Sequence, residues 1–170
     1  MSTTKRVTTI YDLKEDRIRL LVQRLPGGSQ ELWLTRRFLS KLLPALLDRL
    51  EARSSLGAET ATQTAKDALQ RFDQAVALSK LTKQEPVFSN GSGTNAVLVT
   101  DVTLKWGKRQ ISLDFKHDGS IVQTVSFHEE ALRQWLGILR SQYRAAKWSD
   151  NIWPTWMQSQ RHSDDIARLN

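Results

Sequence analysis

One hydrophobic pattern occurs twice in this sequence, and the repeat constrains the fold more than any other feature. Residues 7–53 and 100–146 each contain three alternating, strand-like stretches followed by an apolar stripe of helical spacing. The two copies align without a gap at a spacing of 93 residues, which separates Ile18 from Ile111 and Leu50 from Tyr143. Apolar positions keep their phase through a period of two in the strands and 3.6 in the helices. The pattern predicts a tandem duplication.

The predicted fold class is α+β, with duplicated β-β-β-α modules that form a pseudo-dimer within one chain. Each module alone would leave half a core exposed, so we expect the two antiparallel meander sheets to pair, with helices packed on one face. A single domain over residues 1–170 is predicted. Its parts are the first module 7–53, a connecting helix and flexible loop 54–99, the second module 100–146 and a Trp-rich tail 147–170.

Two helices of the first half have distinctive sequences. Thr35 is a predicted cap for a helix over 36–53, and Pro44 is expected to kink or split that helix near Leu43. A second helix is predicted over 59–81, where it would bridge the two modules and cover a flank. Its predicted apolar side consists of Ala65, Leu69, Phe72, Val76 and Leu81.

The charge of the chain points to a polyanion partner. The formal net charge is +7, and residues 1–53 hold 11 Lys and Arg against 6 Asp and Glu. A concentrated positive charge attracts nucleic acid electrostatically. It is equally consistent with a basic protein whose charge serves only its solubility.

The alternation of the strands predicts an open sheet face with cationic and aromatic side chains. Guanidinium groups hold phosphates and an indole ring stacks on a base, so this face favours single-stranded DNA or RNA. The predicted contact residues are Arg17, Arg19, Trp33, Arg36, Arg37 and Lys105. The alternative interpretation is an ordinary solvated strand face, with Trp33 packed on the connecting helix.

The tandem layout of sheet and helix resembles in outline the Whirly family of single-stranded DNA-binding proteins. That family also duplicates a sheet followed by a helix, with four strands in each half where this sequence indicates three. The resemblance implies a similar architecture and nucleic-acid binding.

The tail contains three tryptophans, Trp148, Trp153 and Trp156, within ten residues. The first interpretation is that the tail folds back and caps the core. The second is a docking peptide, because Trp is enriched at protein interfaces. The alternative function is therefore a protein-interaction or assembly subunit that uses these tryptophans and the connecting helix.

Catalytic and cofactor chemistry has no recognisable motif here. Cysteine is absent, and His117, His128 and His162 share no metal-binding spacing with one another or with a carboxylate. No phosphate-binding loop or nucleophile elbow occurs. We expect no catalytic residue, metal or cofactor. No apolar run approaches the ~20 residues of a membrane span, and a cytoplasmic location is the expectation. The identity of the partner and the oligomeric state stay open.

Overall fold

A computed structural model describes residues 6–25, 27–54, 61–88 and 95–158. Within them the chain is α+β, with two sheets and four α-helices. The elements in chain order are β1 (Val7–Asp12), β2 (Arg17–Gln23), β3 (Ser29–Leu34), α1 (Arg36–Ser54), α2 (Gln63–Ser79), β4 (Val97–Leu98), β5 (Asp101–Trp106), β6 (Ile111–His117), β7 (Ser120–Phe127), α3 (Glu129–Ala145), a 3-10 turn (Asp150–Ile152) and α4 (Thr155–Gln158).

The first sheet has the strand order β1-β2-β3-β4. The β1–β2 turn forms because the Asp12 carboxylate accepts hydrogen bonds from the amides of Lys14 and Glu15 at 3.0 Å, and Asp16 takes a positive φ of 50°. The strands β1, β2 and β3 are antiparallel, as the alternation predicts. The short β4 pairs parallel to β3, an addition that the sequence did not predict.

The second sheet is an antiparallel meander of β5, β6 and β7. Gly119 has a φ of 85° in the β6–β7 turn, a conformation that glycine adopts without a Cβ clash. The register places Leu104 opposite Leu113, and Leu113 opposite Val125. These side chains point to the same face and join the core.

The core lies between the two sheets and the helices α1 and α3. Each helix contacts the sheet of the other half. On α3, Trp135 donates its indole N–H to Thr9 Oγ1 at 3.1 Å, and Gln142 accepts the backbone N–H of Tyr11 at 2.8 Å. On α1, Arg53 donates to the backbone carbonyls of the β5–β6 turn. The two halves therefore share a single core.

Pro44 was predicted to kink or split α1 near Leu43; the split is wrong, because the helix continues through Pro44 from Arg36 to Ser54. Thr35 caps the helix as predicted, because its hydroxyl accepts the amide of Phe38 at 3.1 Å. Pro44 cannot donate a hydrogen bond to the carbonyl of Ser40. Both residues are exposed, so water can satisfy that carbonyl and the helix continues.

The described part of the tail, residues 147–158, folds back onto the core, in agreement with the first of its two interpretations. Trp148, Trp153 and Trp156 are 8%, 2% and 1% exposed. Trp153 packs edge-on against Tyr143, and Trp156 donates its indole N–H to Glu51 at 2.8 Å. Their rings are buried within the chain, so the structure gives no support to the prediction that these three tryptophans form a partner-binding surface.

The connecting segment contains a helix, as predicted. Its helix is shorter than predicted, Gln63–Ser79 against 59–81, and residues 81–88 follow without regular structure. The Gly- and Ser-rich stretch 89–94, predicted to be flexible, lies outside the described residues. No helix in the described part of the chain is long and apolar enough to cross a membrane.

Candidate functional site

The helix α2 is oriented opposite to the usual arrangement of a surface helix. Its buried residues are Gln70, Gln74 and Ala77. Two of its large apolar side chains point outward, with Leu69 41% exposed and Phe72 65% exposed, while Leu78 is half-buried against Gly137 of α3. A surface helix ordinarily turns its apolar stripe to the core and its polar face to water. The sequence predicted the apolar side of this helix correctly, but that side does not cover a flank of the modules.

A hydrogen-bond network attaches the polar side of α2 to α3. Gln74, fully buried, donates from Nε2 to the carbonyl oxygen of Arg133 at 2.9 Å. Arg133 in turn donates to Gln70 Oε1 at 2.8 Å, and Gln134 donates to the carbonyl oxygen of Ala77 at 2.9 Å. These hydrogen bonds attach the polar side of α2, so the helix packs against α3 without its apolar stripe.

The buried guanidinium of Arg133 is the centre of this network. It is 2% exposed and lies 3.3 Å from Glu129 and 3.9 Å from Asp73. It also lies over the ring of Trp156, with 5.8 Å between the guanidinium carbon and the ring centroid. A buried cation with this many partners fixes the position and rotation of α2 on α3. The outward direction of the stripe is therefore determined by specific contacts.

The outward stripe is defined here as Ala65, Leu69, Phe72 and Val76, one turn apart along α2. Ala65, Leu69 and Phe72 are exposed, and Val76 is half-buried. Ala68 and Ala75 are exposed beside the stripe, so no long side chain of the helix itself shields it on that flank. Phe72 also borders a cleft of about 210 Å³ beside Glu129 and Arg133 of α3. This is a continuous apolar surface on one helix.

The predicted basic face is more restricted than the sequence indicated. Arg19 and Trp33 are direct neighbours across β2 and β3, as expected. The guanidinium of Arg19, however, pairs with Glu31 at 3.3 Å, and the Glu31 side chain is buried. Part of the face is also covered, because the amide of Val87 donates to Thr8 Oγ1 at 2.8 Å and the Val87 side chain is buried.

Lys105 does not join the other predicted contact residues, since it lies on β5 of the second sheet. Its ammonium pairs with the buried carboxylate of Asp114 at 2.6 Å. That hydrogen bond, followed by one from the Thr124 hydroxyl, lowers the pKa of Asp114 below its ordinary value, with a further contribution from Lys116. The positive charge of Lys105 is thereby neutralised within the sheet.

Arg36 and Arg37 are exposed at the start of α1, three and four residues beyond the half-buried Trp33. Arg17 is half-buried on β2, opposite Asp12. The structure therefore keeps Arg17, Trp33, Arg36 and Arg37 at one end of the first sheet. It separates them from Lys105 and assigns Arg19 to an ion pair.

A larger cleft, of about 750 Å³, lies between β1, the first residues of α3 and the segment 80–86. Val7, Phe127 and Trp135 contribute apolar surface to it, and Lys80 and Glu130 form an ion pair of 2.8 Å at its edge. The described residues contain no group of three or more His, Asp or Glu side chains that could hold a metal ion.

The sequence analysis did not predict that Gln70, Gln74 and Arg133 would attach α2 to α3. The one available signal was the placement of two glutamines four residues apart, on the helix side opposite Leu69 and Phe72. No protein-family model, curated protein or solved structure matches this chain. The resemblance to the Whirly family stays a prediction.

Proposed function

We propose that this chain is a protein-interaction or assembly subunit that docks through the outward stripe of α2. The observation that carries the proposal is the inverted orientation of the helix, with Gln74 fully buried and Phe72 65% exposed. The exposed side chains of Leu69 and Phe72 cost solvation free energy that a partner would recover, at roughly 25 cal/mol for each Å² of apolar surface covered.

The attachment of α2 supports a docking role over an accidental exposure. A helix that rolled on α3 would turn Leu69 and Phe72 inward, but it would leave the Arg133 guanidinium without Gln70. The cation would keep Glu129 of its own helix, but the loss of a hydrogen bond to a buried charged group is destabilising. The polar network therefore keeps the stripe available, and the rigid helix offers it without a cost in conformational entropy.

The test of this proposal is site-specific photo-crosslinking in cells that express the chain. A photoreactive phenylalanine analogue at position 72 is compared with the same analogue at position 121, where Ile121 is 56% exposed on β7. The expected result is one discrete protein adduct from position 72 that disappears with Leu69→Ser. Equal, diffuse labelling from both positions would contradict the proposal.

A second proposal concerns the origin of the fold, which we infer to be a duplication of one β-β-β-α module. In its support, β2 and β6 have seven residues each, and the distance along the chain between their first residues agrees with the 93-residue spacing to within one residue. The helix of each half also contacts the other half, α3 at β1 and α1 at the β5–β6 turn. Co-expression of 1–56 with 95–170 tests it: two modules that recombine into a folded complex would support the inference, and fragments that stay unfolded together would oppose it.

Nucleic-acid binding stays as a second candidate function because Arg36 and Arg37 are exposed close to Trp33. Fluorescence anisotropy with a single-stranded oligonucleotide at low salt tests it. Binding that weakens with salt and is lost in the Arg36→Gln/Arg37→Gln variant would support this candidate. The matched control is Lys105→Gln, which removes a cation that is already paired with Asp114. Absence of binding at low salt would eliminate it.

A further inference from the structure

We propose that the partner of the outward stripe is the same helix of a second copy of this chain, packed antiparallel about a two-fold axis. The inference rests on the docking function proposed for the stripe and adds the identity of the partner. Three features of α2 carry it: the spacing of the stripe, the charges beside it and the small residues on its other flank.

The spacing of the stripe matches a helix-pairing seam. Ala65, Leu69, Phe72 and Val76 follow one another at steps of four, three and four residues, the alternation of the apolar positions in paired helices. If the two-fold axis passes between positions 70 and 71, Leu69 of each copy lies opposite Phe72 of the other. Ala65 then lies opposite Val76, so every apolar residue meets an apolar residue.

In this arrangement, residues of opposite charge beside the two stripes face one another. Lys66 of one copy lies opposite Asp73 of the other, and the two-fold axis repeats the pair. Both residues are half-buried, and Asp73 lies 3.9 Å from Arg133 of α3. In a parallel pairing, Lys66 would instead face Ala61 or Ala68. The charge pattern therefore favours the antiparallel arrangement.

The other flank of the stripe permits close contact. Ala68 of one copy lies opposite Ala75 of the other, and both are exposed in the single chain. The helix has 17 residues, a length of about 25 Å. A single pair of helices of this length forms an interface near the lower end of the specific range. We therefore expect a dimer that dissociates on dilution.

Charge-swap variants test this register. Light scattering coupled to size-exclusion chromatography measures the dimer fraction of wild type, Lys66→Glu, Asp73→Lys and an equimolar mixture of the two variants. Each variant alone places like charges opposite one another twice, and we expect its dimer dissociation constant to rise on the order of tenfold. In the mixture both pairs are again complementary, so the dimer should return. Lys83→Glu, the same charge change at an exposed position outside α2, should leave the dimer unchanged.

Asp73 lies 3.9 Å from the buried Arg133, so circular dichroism must first show that Asp73→Lys folds. If that variant does not fold, the register is tested by wild type, Lys66→Gln and Lys66→Glu alone. The dimer fraction should fall in that order. A monomer at every concentration, a dimer that survives Phe72→Ser, or variants that fail to follow these charge rules would overturn the inference.

The outcome for the docking proposal can be separated from this result. A monomeric protein that still gives a discrete adduct with a different protein from position 72 would refute the second copy as partner and keep the docking surface. A monomer without a discrete adduct from that position would refute both.

Discussion

Gln74 is fully buried on α2 and donates from Nε2 to the carbonyl oxygen of Arg133 on α3 at 2.9 Å. Two residues away and on the opposite side, Phe72 is 65% exposed. This reversal of the ordinary burial of glutamine and phenylalanine connects the fold to the proposed function, because the polar contact determines which side of the helix is presented to a partner.

The first prediction is that replacing the polar Gln74 lowers stability more than replacing the apolar Phe72. Gln74→Ala leaves the network with Arg133 incomplete, and we expect it to lower the free energy of unfolding by about 1–3 kcal/mol. Phe72→Ser, at an exposed position, should change the stability of the monomer by less than about 0.5 kcal/mol. Urea unfolding at a dilution that keeps the chain monomeric checks both. A larger loss from Phe72→Ser than from Gln74→Ala would contradict the account of α2.

The second prediction concerns the tail as part of the core. Trp153→Ala removes a ring that is 2% exposed and packs on Tyr143, so we expect a loss of about 3–5 kcal/mol. Thermal unfolding followed by circular dichroism measures it, with the exposed neighbour Asn151→Ala as the control. A tail that serves only as a docking peptide would tolerate Trp153→Ala without loss of stability.

The sequence predicted the strands well because their alternation depends on local spacing alone. The bounds of β2, Arg17–Gln23, agree with the prediction, and the apolar residues of α1 and α3 are buried as their stripes indicate. The direction of α2 was not predictable in the same way. A helix with an apolar side and a side rich in Gln can attach by either, and the choice depends on the distant residue Arg133, which supplies the polar partners.

The basic face shows a second limit of prediction from alternation. Alternation correctly placed Arg19 beside Trp33, but it contains no information on how cations are paired. Glu31 on β3 forms an ion pair with Arg19, and Asp114 on β6 forms one with Lys105. The number of cations available to a phosphate is therefore smaller than the composition indicates.

The third prediction uses the lowered pKa of Asp114, which arises first from the hydrogen bond of Lys105. The folded state binds a proton on this carboxyl less readily than the unfolded state does. Its contribution to stability is therefore complete above the ordinary Asp pKa of about 3.9 and is lost as the pH falls through the lowered value. We expect Asp114→Asn to cost about 1–2 kcal/mol at neutral pH and less in acid. Urea unfolding across the acid range checks this, with the exposed Asp101→Asn as the control. A loss of stability from Asp114→Asn that is as large in acid as at neutral pH would contradict the lowered pKa of Asp114.

The fourth prediction concerns Tyr143, whose pKa burial raises to about 12. The unfolded state releases this phenolic proton near pH 10, so the free energy of unfolding should fall as the pH rises from about 10 toward 12. The hydroxyl has no hydrogen-bond partner among the described residues. Tyr143→Phe should therefore keep or raise stability at neutral pH and flatten the alkaline decline. A marked loss at neutral pH would show that the hydroxyl is bonded in the folded protein.

The measurement that tests the central claim most directly is hydroxyl-radical footprinting of the purified chain at increasing concentration. Phe72 is 65% exposed and Phe88 is 74% exposed in the single chain, so their reactivities should be similar at high dilution. The account predicts that Phe72 becomes protected as the concentration rises while Phe88 keeps its reactivity. If Phe72 stays as reactive as Phe88 at every concentration, the pairing of α2 with its copy is contradicted.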